Sequence, residues 1–131
     1  MNHVIRFDTA MFDTTIEPEN PFNPMYGTSV IRWLQTNGMP SLVVPDPEAE
    51  DWGWYAISTF EGQKYLIGAS SVDEHGIEAN PSREWVVQIE RQRTLKEQLF
   101  GKGKMTDSDP CFLYVKSLIE NEPEFTNVSI E

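Results

Sequence analysis

The segment Asp51–Val72 constrains the fold more than any other part of the chain. It reads DWGWYAISTFEGQKYLIGASSV and is rich in aromatic and β-branched residues, with a glycine-containing turn at Glu61-Gly62-Gln63. That combination predicts two β-strands, Trp52–Phe60 and Lys64–Val72, joined as a hairpin. Because both faces of this hairpin are partly apolar, we expect it to lie at the centre of its sheet and to be covered on both sides.

Two strand registers are compatible with the turn. A turn centred on Glu61-Gly62 would place Phe60 opposite Gln63. A turn centred on Gly62-Gln63, of type II′, would place Phe60 opposite Tyr65 and would bring opposite charges together. Cross-strand aromatic and charge pairs each contribute roughly 0.2–1 kcal/mol, so we favour the second register. One face would then carry Trp52, Trp54, Ala56, Ser58, Phe60, Tyr65, Ile67 and Ala69.

The rest of the chain supplies further strands and helices. Strands are predicted at Val4–Phe7, Leu42–Val44, Glu84–Arg93 and Phe125–Ile130. One helix is predicted to begin with Thr28 as N-cap and to end at Asn37-Gly38. A second begins at Asp109-Pro110, an acidic N-cap followed by proline at the first helical position, and Leu95–Phe100 reads as one helical turn. Loops are expected at Ile16–Tyr26, which holds three prolines, and at Asp73–Ser82.

This order of elements predicts a single α+β domain over residues 1–131. We expect an antiparallel β-sheet of four to six strands with the hairpin at its centre and two α-helices packed on one face. A chain of 131 residues is long enough to bury one core.

Net charge limits the classes of partner. Ten basic residues against 21 acidic ones give a charge of −11. This argues against nucleic acid and against an anionic membrane as partners, because a protein needs cationic side chains to neutralise the phosphates that it binds. A basic protein partner would instead be attracted by the field of the chain, although the charge could also serve solubility alone. Half of the basic residues fall in one segment, Arg91–Lys104, so the remainder is more acidic than the total indicates.

The first residues, the lack of a long apolar segment and the cysteine content predict a cytosolic protein. The first residues, MNHVIRFD, lack the apolar run of a signal peptide, and no segment is long enough to span a bilayer. Cys111 is the only cysteine, so no internal disulfide can form.

No pattern of residues indicates catalysis, a metal or a cofactor. The chain has no Cys-x-x-Cys, HExxH, Walker-type or dinucleotide-binding motif. His3, at a terminus expected to be mobile, and His75, beside two acids in a loop, are interpreted as surface histidines rather than as general bases. Cys111 occupies an apolar position in the first turn of a helix, which favours a buried structural cysteine over a thiol activated by the helix dipole.

Two clusters remain as candidate contact residues. The run Asp46–Asp51 holds four carboxylates in six residues, but its spacing does not fit a calcium loop. It is either a solvated loop or a contact patch for a basic partner. Trp52 and Trp54 either fill the core or anchor an interface, since Trp and Tyr dominate binding hot spots. Gly53 between them would allow another backbone to approach closely.

These features favour an acidic protein-binding module without catalytic activity. In size, charge and lack of a catalytic motif, the chain is similar to bacterial immunity and antitoxin-type inhibitors, which cover the active site of a basic toxin. This function, or that of an escort for a basic protein, is the first hypothesis. The predicted contacts are Glu17, Glu19, Glu48, Glu50 and Asp51, with Trp52 or Tyr26 as the anchor.

Two alternatives stay open. The first is a small enzyme or ligand-binding domain with a pocket between helix and sheet. Its predicted lining residues are Trp54, Tyr55, Tyr65 and Trp85. The second is a self-associating protein in which an edge strand pairs with its copy to give a homodimer.

Overall fold

The computed structural model describes residues 3–72 and 82–131, and these form an antiparallel sheet with helices on one side. The strands are β1 (Val4–Thr9), β2 (Met25–Tyr26), β3 (Leu42–Val43), β4 (Glu48–Glu50), β5 (Gly53–Phe60), β6 (Gln63–Val72), β7 (Arg83–Arg91) and β8 (Thr126–Ile130). The helices are α1 (Thr28–Asn37), α2 (Leu95–Leu99) and α3 (Pro110–Glu120), with a 3-10 turn at Thr14–Ile16. The predicted α+β class is confirmed. Of the predicted loop Asp73–Ser82, residues 73–81 lie outside the described part, and His75 with them.

The hairpin β5–β6 is central in the sheet, as predicted. The strand order is β3-β5-β6-β7-β1-β8, with β4 also paired to β5 and β2 paired to β6. The described residues thus contain eight strands rather than four to six. The additional strands are short: β2 forms inside the proline-rich segment and β4 inside the acidic run, where pairing with a long neighbour makes up for weak local propensity.

The favoured hairpin register is wrong. Phe60 lies opposite Gln63, and Glu61 and Gly62 both have positive φ, 50° and 78°. These angles define a type I′ turn, which places glycine at the second central position. The conformational preference of the turn backbone therefore outweighs the free energy that the cross-strand side-chain pairs would have contributed. The two registers differ by two residues, so the side chains from Trp54 to Ala69 keep the faces that were predicted for them.

One face of the sheet, here called the core face, packs against α1 and α3. Its strand residues include Ile5, Phe7, Trp54, Ala56, Phe60, Tyr65, Ile67, Ala69, Trp85, Val87 and Ile89, all at most 6% exposed. Val30, Ile31 and Leu34 of α1 and Cys111, Phe112, Val115 and Ile119 of α3 complete the same cluster. Both long helices therefore lie on one side of the sheet.

The start of α3 is fastened to the hairpin through its N-cap. Asp109 Oδ1 accepts hydrogen bonds from the backbone N–H groups of Cys111 (2.9 Å) and Phe112 (3.1 Å). Its Oδ2 accepts a hydrogen bond from the Tyr65 hydroxyl at 3.0 Å. The predicted acidic cap is confirmed, and it also links the helix to β6.

Candidate functional site

The opposite face of the sheet, here called the outer face, is open to solvent in the part of the chain that the structure describes. Its apolar centre consists of Trp52, Tyr55, Ile57, Leu66 and Val86, which are all only half-buried. Strand pairing places them together, since Ile57 lies opposite Leu66 on the neighbouring strand. The expectation that the hairpin is covered on both sides is therefore wrong for the described residues.

Trp52 lies on the outer face because Gly68 leaves room for its ring. A Cβ atom at Gly68 would lie 2.6 Å from Cη2 of Trp52, so the indole packs directly against the glycine backbone. The centroid of the Trp52 ring lies 6.4 Å from that of Tyr55, which lies opposite Gly68 in the hairpin. The two aromatic rings therefore lie next to each other in the apolar centre.

Trp54 points the other way. It is 6% exposed on the core face, and its Nε1 donates a hydrogen bond to the carbonyl oxygen of Met25 at 3.1 Å. The expectation that Trp52 and Trp54 share a face is wrong, because β5 begins only at Gly53 and strand alternation does not extend back to Trp52. The close approach predicted at Gly53 is confirmed, since a Cβ there would lie 2.5 Å from the carbonyl oxygen of Ala69.

Three carboxylates, here called the acidic rim, flank the apolar centre: Glu48, Glu50 and Asp51. Glu48 lies opposite Tyr55, and Glu50 lies opposite Gly53. Directly opposed residues share a face, so both glutamates border the outer face, and exposed Asp51 follows them in the turn. Among the described residues, none of the three is within ion-pair distance of a cation.

The far border of the outer face is also mostly acidic. Glu90 lies opposite Leu66 and is exposed. Arg6 of β1 is neutralised by Glu84, at 3.2 Å, and by Glu131, at 2.9 Å. The surface therefore presents aromatic and aliphatic side chains between unpaired carboxylates, with exposed Lys64, which lies opposite Thr59, as a cation on the same face.

The proline-rich loop holds the acidic rim in place. Asn20 is 6% exposed, and its Nδ2 donates to the carbonyl oxygens of Glu50 and Gly53, each at 2.9 Å. Nδ2 of Asn23 donates to the carbonyl oxygen of Asp51 at 2.7 Å. These bonding partners lie 28 to 33 residues further along the chain, so the local pattern did not identify the two asparagines as supports.

The predicted contact residues do not all come together. Glu48, Glu50, Asp51 and Trp52 lie side by side at one end of the outer face. Tyr26 instead packs against the core on the helix side, with the Arg83 guanidinium 4.9 Å above its ring. Glu19 is exposed next to Asn20.

Glu17 has a structural task at the start of α1. Its Oε1 accepts hydrogen bonds from the backbone N–H groups of Gly27 (2.9 Å) and Thr28 (3.2 Å), and its Oε2 accepts one from Ser29 (3.1 Å). The N-cap residue is Gly27, which makes no side-chain hydrogen bond, and Thr28 is already helical. The prediction of Thr28 as the N-cap is therefore wrong, and a carboxylate from a distant loop takes its place.

The four residues that were predicted to line a pocket do not lie around one cavity. A cavity of about 340 Å³ near the hairpin turn contains Tyr65 among its lining residues, but Trp54 and Trp85 are buried in the core and Tyr55 lies on the outer face. Burial and the neighbouring Asp109 carboxylate raise the pKa of Tyr65. Its hydroxyl therefore stays protonated at neutral pH and acts as a hydrogen-bond donor to Asp109.

Cys111 and His3 are both buried. Burial raises the pKa of the Cys111 thiol to about 12, and the Asp109 carboxylate adds to this rise; the prediction of a buried cysteine is confirmed. His3 is 6% exposed, lies edge-on to Phe112 and has its Nε2 3.5 Å from Asp107. The prediction of a surface histidine is wrong for His3, since this residue continues the core-facing alternation of β1.

No group of three or more His, Cys, Asp or Glu side chains within residues 3–72 and 82–131 is arranged to hold a metal ion. No helix in this part of the chain is long and apolar enough to cross a membrane.

Comparison with known proteins gives no relative: no family model, no curated protein and no solved structure matches the chain.

Proposed function

We propose that the chain is a non-catalytic protein-binding module whose outer face docks a basic protein. The observation that supports this most directly is the Trp52–Tyr55 pair lying on an open sheet face beside the unpaired acidic rim. Protein interfaces combine an apolar, aromatic centre with a polar border. Trp and Tyr supply much of their binding energy, and unpaired carboxylates speed the approach of a cationic partner.

The edges of the sheet are less suited to docking than its face. On one edge, Pro45 and Pro47 interrupt the chain between β3 and β4. On the other edge, the pairing of β1 with β8 shifts register between Arg6 and Asp8, and Asn127 of β8 has a φ of 53°. Prolines and bulges of this kind hinder the addition of a further strand. This disfavours the homodimer formed by edge pairing.

The form of the proposed function is inhibition or escort of a basic toxin or effector, as in immunity and antitoxin-type proteins. Such an activity needs a pre-formed surface and no chemistry of its own. We place it in the cytoplasm, where a chain with a single buried thiol needs no disulfide.

The test compares two charge-reversal variants of equal net charge. Glu48→Lys/Glu50→Lys removes most of the acidic rim, and Glu120→Lys/Glu124→Lys changes two exposed glutamates at the far end of α3 and the turn after it. Basic proteins captured from a lysate by the immobilised wild-type chain are purified, and their association rates are measured at 20 and 150 mM salt. We expect the rim variant to associate about tenfold more slowly, with a flatter salt dependence. We expect the control to behave like the wild type.

Equal effects of the two variants would show that net charge alone attracts the partner and would contradict docking on the outer face. A second variant, Gly68→Ala, tests the apolar centre without changing charge. The added methyl group displaces the Trp52 ring, so we expect faster dissociation of the same partner. An unchanged dissociation rate would also contradict the proposal.

A further inference from the structure

The short helix α2 exposes apolar side chains instead of burying them. Leu95 is 81% exposed, Leu99 is 77% exposed and the following Phe100 is 64% exposed, and no residue of the helix is buried. Residues at i and i+4 lie on one side of a helix, so the two leucines form one surface with Phe100 beside it. We refer to these three residues as the α2 patch. Exposed apolar side chains that lie together form a candidate interaction surface, whereas single exposed ones are normal.

The α2 patch is held in shape without a core beneath it. Thr94 and Glu97 form a capping box, with hydrogen bonds of 3.1 Å from Glu97 N to Thr94 Oγ1 and 2.9 Å from Thr94 N to Glu97 Oε1. At the other end, Gly101 has a φ of 66°, and Lys102 N donates to the carbonyl oxygen of Glu97 at 2.7 Å. Glu97 also pairs with Arg91 of β7 at 3.2 Å.

A helix of five residues is not stable in isolation. The two caps and the ion pair to β7 therefore hold the backbone that carries the patch in a helical conformation. Binding then requires little further ordering of that backbone.

Positively charged residues lie close to the α2 patch along the chain, which is otherwise acidic. They are Arg93, Lys96, Lys102 and Lys104. The three lysines are exposed, and among the described residues none of them is in an ion pair. Such a patch fits a surface that is apolar at its centre and acidic at its border.

The outer face of the same chain has this composition. We propose that the α2 patch of one copy docks on the outer face of a second copy, head to tail, with its lysines against the acidic rim. This rests on the proposed function in using the outer face as a docking surface, and it makes self-association compete with the basic partner. Each copy has a net charge of −11, but at 0.15 M salt screening acts over about 8 Å, so the close, opposite charges at the contact dominate.

The test is sedimentation velocity at 0.15 M salt, from micromolar to millimolar concentrations. We expect the average mass of the wild-type chain to rise with concentration. We expect Leu95→Gln/Leu99→Gln, which keeps good helix formers in α2, to remain monomeric, and Glu48→Lys/Glu50→Lys to remain monomeric as well. A mixture of these two variants should form one-to-one heterodimers and nothing larger, because each variant retains one of the two surfaces.

A matched control removes equally exposed apolar side chains elsewhere. Ile16 and Phe22 are 78% and 60% exposed, and Ile16→Gln/Phe22→Gln should associate like the wild type. A wild-type chain that stays monomeric at millimolar concentration would overturn head-to-tail docking and would leave the proposal of a basic partner intact. Conversely, Leu95→Gln/Leu99→Gln should bind the captured basic partner at least as tightly as the wild type, because its outer face is unchanged and no second copy competes for it.

Anionic vesicles of phosphatidylserine separate the proposal from a lipid-binding role of the α2 patch. We expect no binding of the wild-type chain at 0.15 M salt. Binding that is lost in Leu95→Gln/Leu99→Gln, together with a monomeric wild type, would assign the α2 patch to a membrane surface and overturn docking between copies.

Discussion

Glu17 has a structural role that its position in the sequence did not indicate. It was predicted to contact a partner, yet its carboxylate accepts three backbone hydrogen bonds at the start of α1. Capping rules look within about four residues of a helix start, whereas Glu17 lies ten residues before Gly27. The partner of those N–H groups could not be found from the local pattern.

Glu17→Ala should therefore lower the free energy of unfolding by about 1–2 kcal/mol, the range of a lost N-cap. Glu17→Gln keeps one acceptor oxygen and should cost less. Urea unfolding followed by circular dichroism gives both values, and binding of the captured partner is measured in parallel. Slower or weaker binding by Glu17→Gln, with its stability intact, would instead support the predicted contact role.

Cys111 gives a prediction at alkaline pH. Its folded-state pKa, about 12, lies above the ordinary value of 9.0. The unfolded chain therefore loses the thiol proton first as pH rises. The contribution of the protonated Cys111 thiol to the free energy of unfolding is therefore complete below about pH 9. It is lost between pH 9 and 12, at up to about 1.4 kcal/mol per pH unit.

The measurement is the free energy of unfolding at several pH values from 8 to 11.5 in wild type and Cys111→Ala. The variant starts less stable because a buried atom is removed, but its stability should fall less steeply above pH 9. Tyr65→Phe is the comparison, because Tyr65 also has a raised pKa. The ordinary pKa of tyrosine, 10.0, is one unit above that of cysteine, so the loss of stability due to Tyr65 should begin about one pH unit higher. Parallel curves for wild type and Cys111→Ala would contradict a buried, protonated thiol.

Among the elements, the hairpin turn is where sequence and structure disagree most directly. Glu61 adopts a φ of 50°, a left-handed conformation that asparagine accepts more readily than glutamate. Glu61→Asn should raise the free energy of unfolding by about 0.5–1 kcal/mol. Glu61→Ala is the control, since it removes the same charge but has no preference for positive φ, and thermal unfolding of both variants provides the comparison. Equal stability of the two would show that charge, and not turn geometry, matters at this position.

Long elements were predictable and short ones were not. Aromatic and β-branched content around a glycine-containing turn identified β5 and β6, alternation identified β7, and the Asp109-Pro110 signature identified the start of α3. In contrast, β2 and β4 consist of two and three residues and form because a long strand offers free backbone groups beside them. The geometry of the turn sets the hairpin register, and cross-strand side-chain pairing alone did not predict that register.

At the scale of the whole molecule, the sequence predicted the α+β class and the acidic cluster but not the open face. Tyr55, Ile57 and Leu66 are as apolar as many core residues, so their pattern favoured coverage on both sides. Which face the helices cover depends on long-range packing. The acidic rim and Trp52 were identified from composition, whereas their separation from Tyr26 followed only from the side of the sheet on which each lies.

The charge of the whole molecule leads to a final prediction about stability. A net charge of −11 disfavours the compact state through self-repulsion, and the acidic rim contributes three carboxylates with no cation paired to them among the described residues. Glu48→Gln/Glu50→Gln/Asp51→Asn should therefore raise Tm by about 2–4 °C at 20 mM NaCl. The gain should shrink at 0.5 M NaCl, because salt already screens the repulsion in the wild type.

Glu84→Gln/Glu131→Gln is the control for this experiment, because both glutamates pair with Arg6 and their neutralisation should give no gain in Tm. A rise in Tm with slower association of the basic partner would mean that the acidic rim lowers stability while it serves binding. A fall in Tm for the rim variant would show that these carboxylates stabilise the fold, and it would remove the reason for treating them as a surface kept for a partner.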